Sequence, residues 1–218
     1  MKAPVLILST LLLASAIPGY VYAGTTEQAK ADPSAAVSAM TLNFFMQNYY
    51  LHPTDISLNL AFLDQSGLAA KVSLQPTLAM FYSCIFAAGD EIQRAKWFAQ
   101  INQLSSPTKS LLVYAIAHQP DNIMAAAPIS PGRNDLDWSG FFATGDLRYV
   151  DDVIARLNGL DERKDLQRYV TAGSAAWSLA MNAKMHPLVH ARLEALKASN
   201  GPLTSIADEL LNKPEQLQ

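Results

Sequence analysis

Residues 85–104 read IFAAGDEIQRAKWFAQINQL, and residues 141–160 read FFATGDLRYVDDVIARLNGL. Laid over each other, the two stretches share Phe86/Phe142, Ala87/Ala143, Gly89/Gly145, Asp90/Asp146, Ala99/Ala155, Asn102/Asn158 and Leu104/Leu160. Where the apolar residues differ they keep their character, as in Trp97/Val153, Phe98/Ile154 and Ile101/Leu157. Self-similarity at a fixed offset marks a repeated structural unit. Past each Gly-Asp the apolar residues follow a 3.6-residue period, so each copy is expected to be an αα-hairpin with one face to bury. Gly89 and Gly145 suit the left-handed position that ends a helix. Asp90 and Asp146 suit the N-cap of the next one, where a carboxylate accepts from free backbone N–H groups and favours the helix dipole. These four residues are therefore expected to be structural caps rather than a catalytic pair.

Outward from the two copies, the chain has 218 residues, of which 50% are hydrophobic and 16% charged, enough to build a substantial core. Asp32-Pro33 signals a helix start, and the following helix is expected to turn Val37, Met40, Phe44 and Phe45 inward before His52-Pro53 stops it. A second helix is expected from about residue 54 to Gly67, and another from about Ser73 to Gly89. Ser106-Pro107 opens a further helix, with Ser106 as its N-cap, that ends before Pro120. Residues 127–137, APISPGRNDLD, carry two prolines, a glycine and an Asn-Asp pair, and are expected to form a loop. His186-Pro187 breaks a helix expected over about 161–185, a further one is expected over 188–199, and a loosely ordered tail follows from about 203. No run alternates long enough to demand a strand. The expectation is an all-α fold of stacked αα-hairpins, one repeat domain over 33–218.

The N-terminus carries a different message. Met1-Lys2 precedes an apolar run from Ala3 to Ile17, Pro18-Gly19 breaks it, and Val21-Tyr22-Ala23 precedes Gly24. That is the layout of a secretory signal peptide over 1–23, with a polar, flexible segment over 24–32 behind it; an uncleaved membrane anchor is the rival reading, disfavoured by the short, interrupted run. The implied compartment is the periplasm or the cell exterior. Loss of 1–23 removes Lys2 and no acid, leaving 15 basic against 19 acidic residues. An acidic chain without a basic cluster offers no counterion-release footprint for nucleic acid. The single cysteine, Cys84, cannot form an intrachain disulfide and lies in the apolar run MFYSCIFAA, where a buried small hydrophobe is expected.

Chemistry-bearing motifs are weak. Ser106-Pro107-Thr108-Lys109 fits S-x-x-K, but the chain has no KTG and no sheet to carry one. His186 and His190 are four apart, yet Pro187 puts the first at a helix boundary and no third ligand is near in sequence. No metal or cofactor is expected. The segments FFATGDLRYVDDVIARL and AAWSLAMNAKMHP resemble those of exported bacterial α-helical repeat proteins without an assigned activity. The resemblance covers about the last third of the chain and carries over no site.

The function these features support is a non-enzymatic interaction protein of the cell envelope that holds a protein or peptide partner, for example as an immunity-type inhibitor or a secretion accessory factor. The expected contact residues lie in and beside the 127–137 loop: Arg133 and Asn134 as donors, Asp135 and Asp137 as acceptors, Trp138 as an aromatic anchor; the alternative is a linker between two stacked halves with Trp138 in the core. The alternatives are a hydrolase assembled in three dimensions around His118, His186 or His190, and a protein that binds an apolar ligand between helices. If 1–23 is a signal peptide, N-terminal sequencing of the exported protein will begin at Gly24; a chain that still begins at Met1 contradicts cleavage.

Overall fold

A computed structural model describes residues 33–212, with side chains from Met40 onward; the 1–23 and 24–32 segments fall outside these residues. The described residues are all-helical, with eleven α-helices, short 3-10 turns between them and no strand. None of these helices is long and apolar enough to cross a membrane. The helices form two compact units.

The described part of the first unit comprises residues 33–126 together with 142–145. It holds α1 (Pro33–Asn48), α2 (Ser57–Ser66), α3 (Gln75–Ala88), α4 (Glu91–Ile101), α5 (Ser106–Ala117) and α6 (Pro120–Ala126). Helix α3 is its centre: every residue from Leu78 to Phe86 is buried, Cys84 included. A helix apolar on all sides must be enclosed by others, and α3 is packed by α5 and α6. Around it the rings of Phe45, Tyr49, Phe81, Tyr82, Phe86 and Trp97 meet edge-on or tilted at centroid distances of 5.2 to 6.2 Å. Helix α1 faces the core only in part as its sequence suggested: Phe45 meets the ring of Phe81, Met40 and Phe44 do not turn inward, and the side chain of Val37 lies outside the described residues. Leu42, Met46 and Tyr49 are buried, whereas Met40 and Phe44 are 75% and 70% exposed. The helix is apolar around most of its circumference, so periodicity alone does not select the inward face.

The described part of the second unit comprises residues 127–141 and 146–212. It holds most of α7 (Pro131–Thr144), then α8 (Leu147–Ala155), α9 (Leu166–Met185), α10 (Pro187–Ala198) and α11 (Thr204–Asn212). Residues 156–161 continue α8 as a 3-10 stretch against α9, so α9 starts later than its expected position near 161. Helix α9 buries Ala172, Ala175, Ala176, Ala180 and Ala183, small side chains that let neighbours come close. One close approach is at Gly159, where an added Cβ would lie 2.9 Å from the carbonyl oxygen of Arg168. The tail is more ordered than expected: α11 packs on α9 and α10 through buried Ala207 and Leu210.

Two corrections concern chain breaks. The 127–137 loop is only four residues long, because α7 already begins at Pro131, and the carbonyl of Ser130 accepts its first bond from Arg133 N at 2.9 Å. Ser130-Pro131 is the same start signal as Ser106-Pro107, masked by the glycine, asparagine and aspartates behind it. The N-cap of α5 is Ser105, one residue before the expected Ser106, and its hydroxyl bonds Asp64 and meets the Thr108 hydroxyl rather than a backbone N–H of the helix.

The two Gly-Asp breaks are built differently. Asp90 accepts from Gln93 N at 2.7 Å while Gln93 Oε1 accepts from Asp90 N at 3.0 Å, a reciprocal capping box. Asp146 accepts from Arg148 N at 2.9 Å. Gly145 is left-handed at φ +71, but Gly89 is extended at φ −68, ψ 145, contrary to its expected conformation. Gly89 is needed for space instead, since a Cβ there would lie 2.5 Å from Trp97 Cζ3. The two glycines should therefore fail in different ways. Gly145→Ala should cost about 1–2 kcal/mol from backbone strain whatever its neighbours. Gly89→Ala should cost about 1–3 kcal/mol from overpacking, and most of that should vanish in a Trp97→Leu background. Equal costs of Gly89→Ala in both backgrounds, measured by urea unfolding, would contradict this assignment.

Candidate functional site

The residues that the sequence singled out beside the expected loop come together, but inward. Asn134 and Asp137 lie three apart on α7, on one face of the helix, and both side chains are buried. Arg156, at the end of α8, donates from Nη1 to Asn134 Oδ1 at 3.0 Å and approaches Asp137 Oδ2 at 2.5 Å. Asn134 Nδ2 in turn donates to the carbonyl of Thr171 on α9 at 3.1 Å. Arg133 Nη1 donates to the carbonyl of Ala127 at 3.0 Å, closing the short loop. Trp138 is buried and meets Phe141 edge-on at 6.0 Å. Asn134 and Asp137 are thus parts of the core that join α7 to α9 and α8, and Trp138 is buried on the same helix. The helix turns all three away from solvent, the placement that the linker alternative gave Trp138.

The electrostatics of this cluster follow from burial. The carboxyl of Asp137 is pushed up to about 6 by loss of solvent, which outweighs the pull of the Arg156 guanidinium. Arg156 Nη1 and Asp137 Oδ2 form an ion pair in this buried setting. Half-buried Asp135 is raised to about 7 by the same cause. Buried His186, edge-on to Phe141 at 5.9 Å, is lowered to about 4 by burial. His190 is exposed on α10, so the two histidines do not share an environment that could hold one ion.

The hydrolase candidates fare no better as a catalytic set. His118 Nδ1 donates to the carbonyl of Tyr114 at 2.9 Å, and its ring stacks on Tyr114 with centroids 4.0 Å apart. The hydroxyl of Ser83 donates to the backbone carbonyl of His118 at 2.5 Å. The serine proton thus goes to a backbone oxygen and not to an imidazole nitrogen.

A surface feature of another kind lies in the first unit. Glu91, Arg94, Ala95 and Phe98 of α4, with Phe86 of α3 and Ile116 of α5, line an open groove of about 310 Å³. A second recess of about 250 Å³ shares Phe86, Arg94 and Ile116 and continues to Ser83, Ala87, His118 and Gln119. The four α4 residues are spaced i, i+3, i+4, i+7, one continuous stripe of the helix. The opposite side of α4 is tied down: Lys96 pairs with Asp55, Trp97 Nε1 donates to Asp55 at 3.3 Å, and Gln100 Nε2 donates to the carbonyl of Ser57 at 2.5 Å. Asp55 sits well below the usual carboxylate range, held there first by Lys96 and then by Ser57. Phe98 is 48% exposed, and Arg94 makes no ion pair or side-chain hydrogen bond among the described residues.

Periodicity places Phe98 on the apolar side of its helix, and nothing in the sequence says that this side lacks cover. Compared with family models, curated proteins and solved structures, the chain finds no match in any of the three.

The raised Asp137 fixes the sign of a pH effect. Its folded value lies above the ordinary 3.8, so the folded state holds the extra proton, and stability is lost as pH rises from about 4 to about 6. Asp137→Asn removes that loss. The stability of Asp137→Asn relative to the parent should therefore rise by on the order of 1–2 kcal/mol between pH 4.5 and pH 7.5. Asp135 and His186 titrate in both proteins and cancel in the difference. A flat or falling difference in urea unfolding would contradict the raised value.

Proposed function

We propose that this chain is an exported, non-enzymatic helical interaction protein, and that the groove lined by Phe86, Arg94, Ala95, Phe98 and Ile116 takes a protein or peptide partner. On this reading residues 1–23 are a cleaved signal peptide, the protein works in the periplasm or outside the cell, and its αα-hairpins are stacked copies of one unit. An immunity-type inhibitor or a secretion accessory factor would use such a surface. The observation that carries the reading is the groove itself: an apolar recess beside a half-exposed phenylalanine, on a helix anchored firmly from behind. Exposed aromatic anchors beside apolar recesses are the usual energetic centres of interfaces. The bond of the Ser83 hydroxyl to a backbone carbonyl supports binding over a hydrolytic alternative built on Ser83 and His118.

The test is a quantitative comparison of capture from an envelope extract of the native host. Phe98→Glu places a charge on the groove wall without emptying the core, so its melting curve should match the parent. Any partner retained by the parent should be lost from Phe98→Glu by about tenfold or more, and retained by the control Tyr169→Glu on α9. Equal retention by parent and Phe98→Glu would remove the groove from the interface.

A further inference from the structure

The two sequence copies make the groove informative about what covers it. Its α4 stripe, Glu91, Arg94, Ala95 and Phe98, corresponds position by position to Leu147, Val150, Asp151 and Ile154 on α8. On α8 the stripe is closed: Val150 and Ile154 are buried, and α9 and α10 pack against the helix. The counterpart of Ala95 is Asp151, which takes Arg192 of α10 at 2.6 Å. A helix of this same chain therefore lies over that stripe and carries a charge matched to it. On α4 the corresponding stripe stays open. Helix α4 packs on α2 and α5, and its groove side ends in solvent. One substitution sets the two stripes apart most sharply: where α8 has buried Val150, α4 has Arg94 with no ionic partner among the described residues.

We infer that the groove accepts an amphipathic helix of a partner protein, laid on α4 much as α10 lies on α8, with a carboxylate beside its apolar face to meet Arg94. The inference rests on the interaction reading above and adds the chemistry of the partner. Phe86, Phe98 and Ile116 take the apolar side chains, and the planar guanidinium of Arg94 takes the carboxylate. The charge arrangement is the reverse of that on α8, where the acid sits on the receiving helix and the arginine on the covering one.

The experiment uses fluorescein-labelled helical peptides with three leucines at helical spacing and, at one flanking position, Glu, Gln or Lys. Fluorescence anisotropy reads their binding to the parent protein and to Arg94→Gln, Arg94→Glu and Phe98→Glu. The parent should bind the Glu peptide about tenfold more tightly than the Gln peptide, the size expected of one charge-assisted pair. Arg94→Gln should lose that preference, Arg94→Glu should prefer the Lys peptide, and Phe98→Glu should bind none of them. If the parent binds Glu and Gln peptides alike while Phe98→Glu still abolishes binding, the carboxylate is wrong and the groove reading stands. Equal binding of all peptides by parent and Phe98→Glu overturns the groove reading too. Binding of laurate with no peptide bound, or closure of the groove by a second copy seen as a dimer in sedimentation, overturns the helix.

Discussion

Helix α3 presents apolar side chains in every direction, and such a helix persists only when other helices enclose it. That requirement organises the first unit. Helices α5 and α6 pack against α3 directly, and the aromatic cluster around Phe81 and Tyr82 draws in α1 and its following turn. Near Phe86, the last large buried residue of α3, the enclosure thins, because α4 is drawn toward Asp55 and Ser57 by Lys96, Trp97 and Gln100. The groove is the gap left between that anchored helix and α5. A recess formed this way has one fixed wall, which lowers the ordering cost of a partner that enters it.

The second unit meets the same kind of demand by other means. Its core includes a charge, Asp137, whose nearest opposite charge arrives from Arg156 at the end of the next helix. An ion pair in such a place contributes little net stability, since desolvation offsets most of the attraction. Its stronger consequence is on register: Arg156 also bonds Asn134, and Asn134 bonds the Thr171 carbonyl, so α7, α8 and α9 are locked at one setting. Sliding α7 by one residue would leave these buried groups unmatched. We regard this network as structural.

Much of this was legible in the sequence. The helical class, the Gly-Asp breaks with their capping aspartates and the helix behind the His186-Pro187 break all arise from local signals: period, cap and proline position. What was not legible depends on partners distant in the chain. Residues 131–137 look like a loop because glycine, asparagine and aspartate favour turns, and they become a helix because Arg156 and Thr171 satisfy their side chains. Helix α1 offers two apolar sides, and only tertiary packing chose Leu42 and Met46 over Met40 and Phe44. Gly89 shows the same limit at one residue: its glycine was foreseeable, but its cause is the ring of Trp97 rather than a left-handed turn. The groove residues were missed because Phe98 follows the core period, and period says nothing about whether a covering helix exists.

The claim at the centre of this account is that the α4 stripe is a surface held open for another molecule. Site-specific photo-crosslinking in the native host addresses it most directly, with a benzoylphenylalanine at position 98 and, as a control, at the exposed position 169 on α9. The account predicts a discrete protein adduct from position 98 and none from position 169. No adduct from position 98, or the same adducts from both positions, would contradict it.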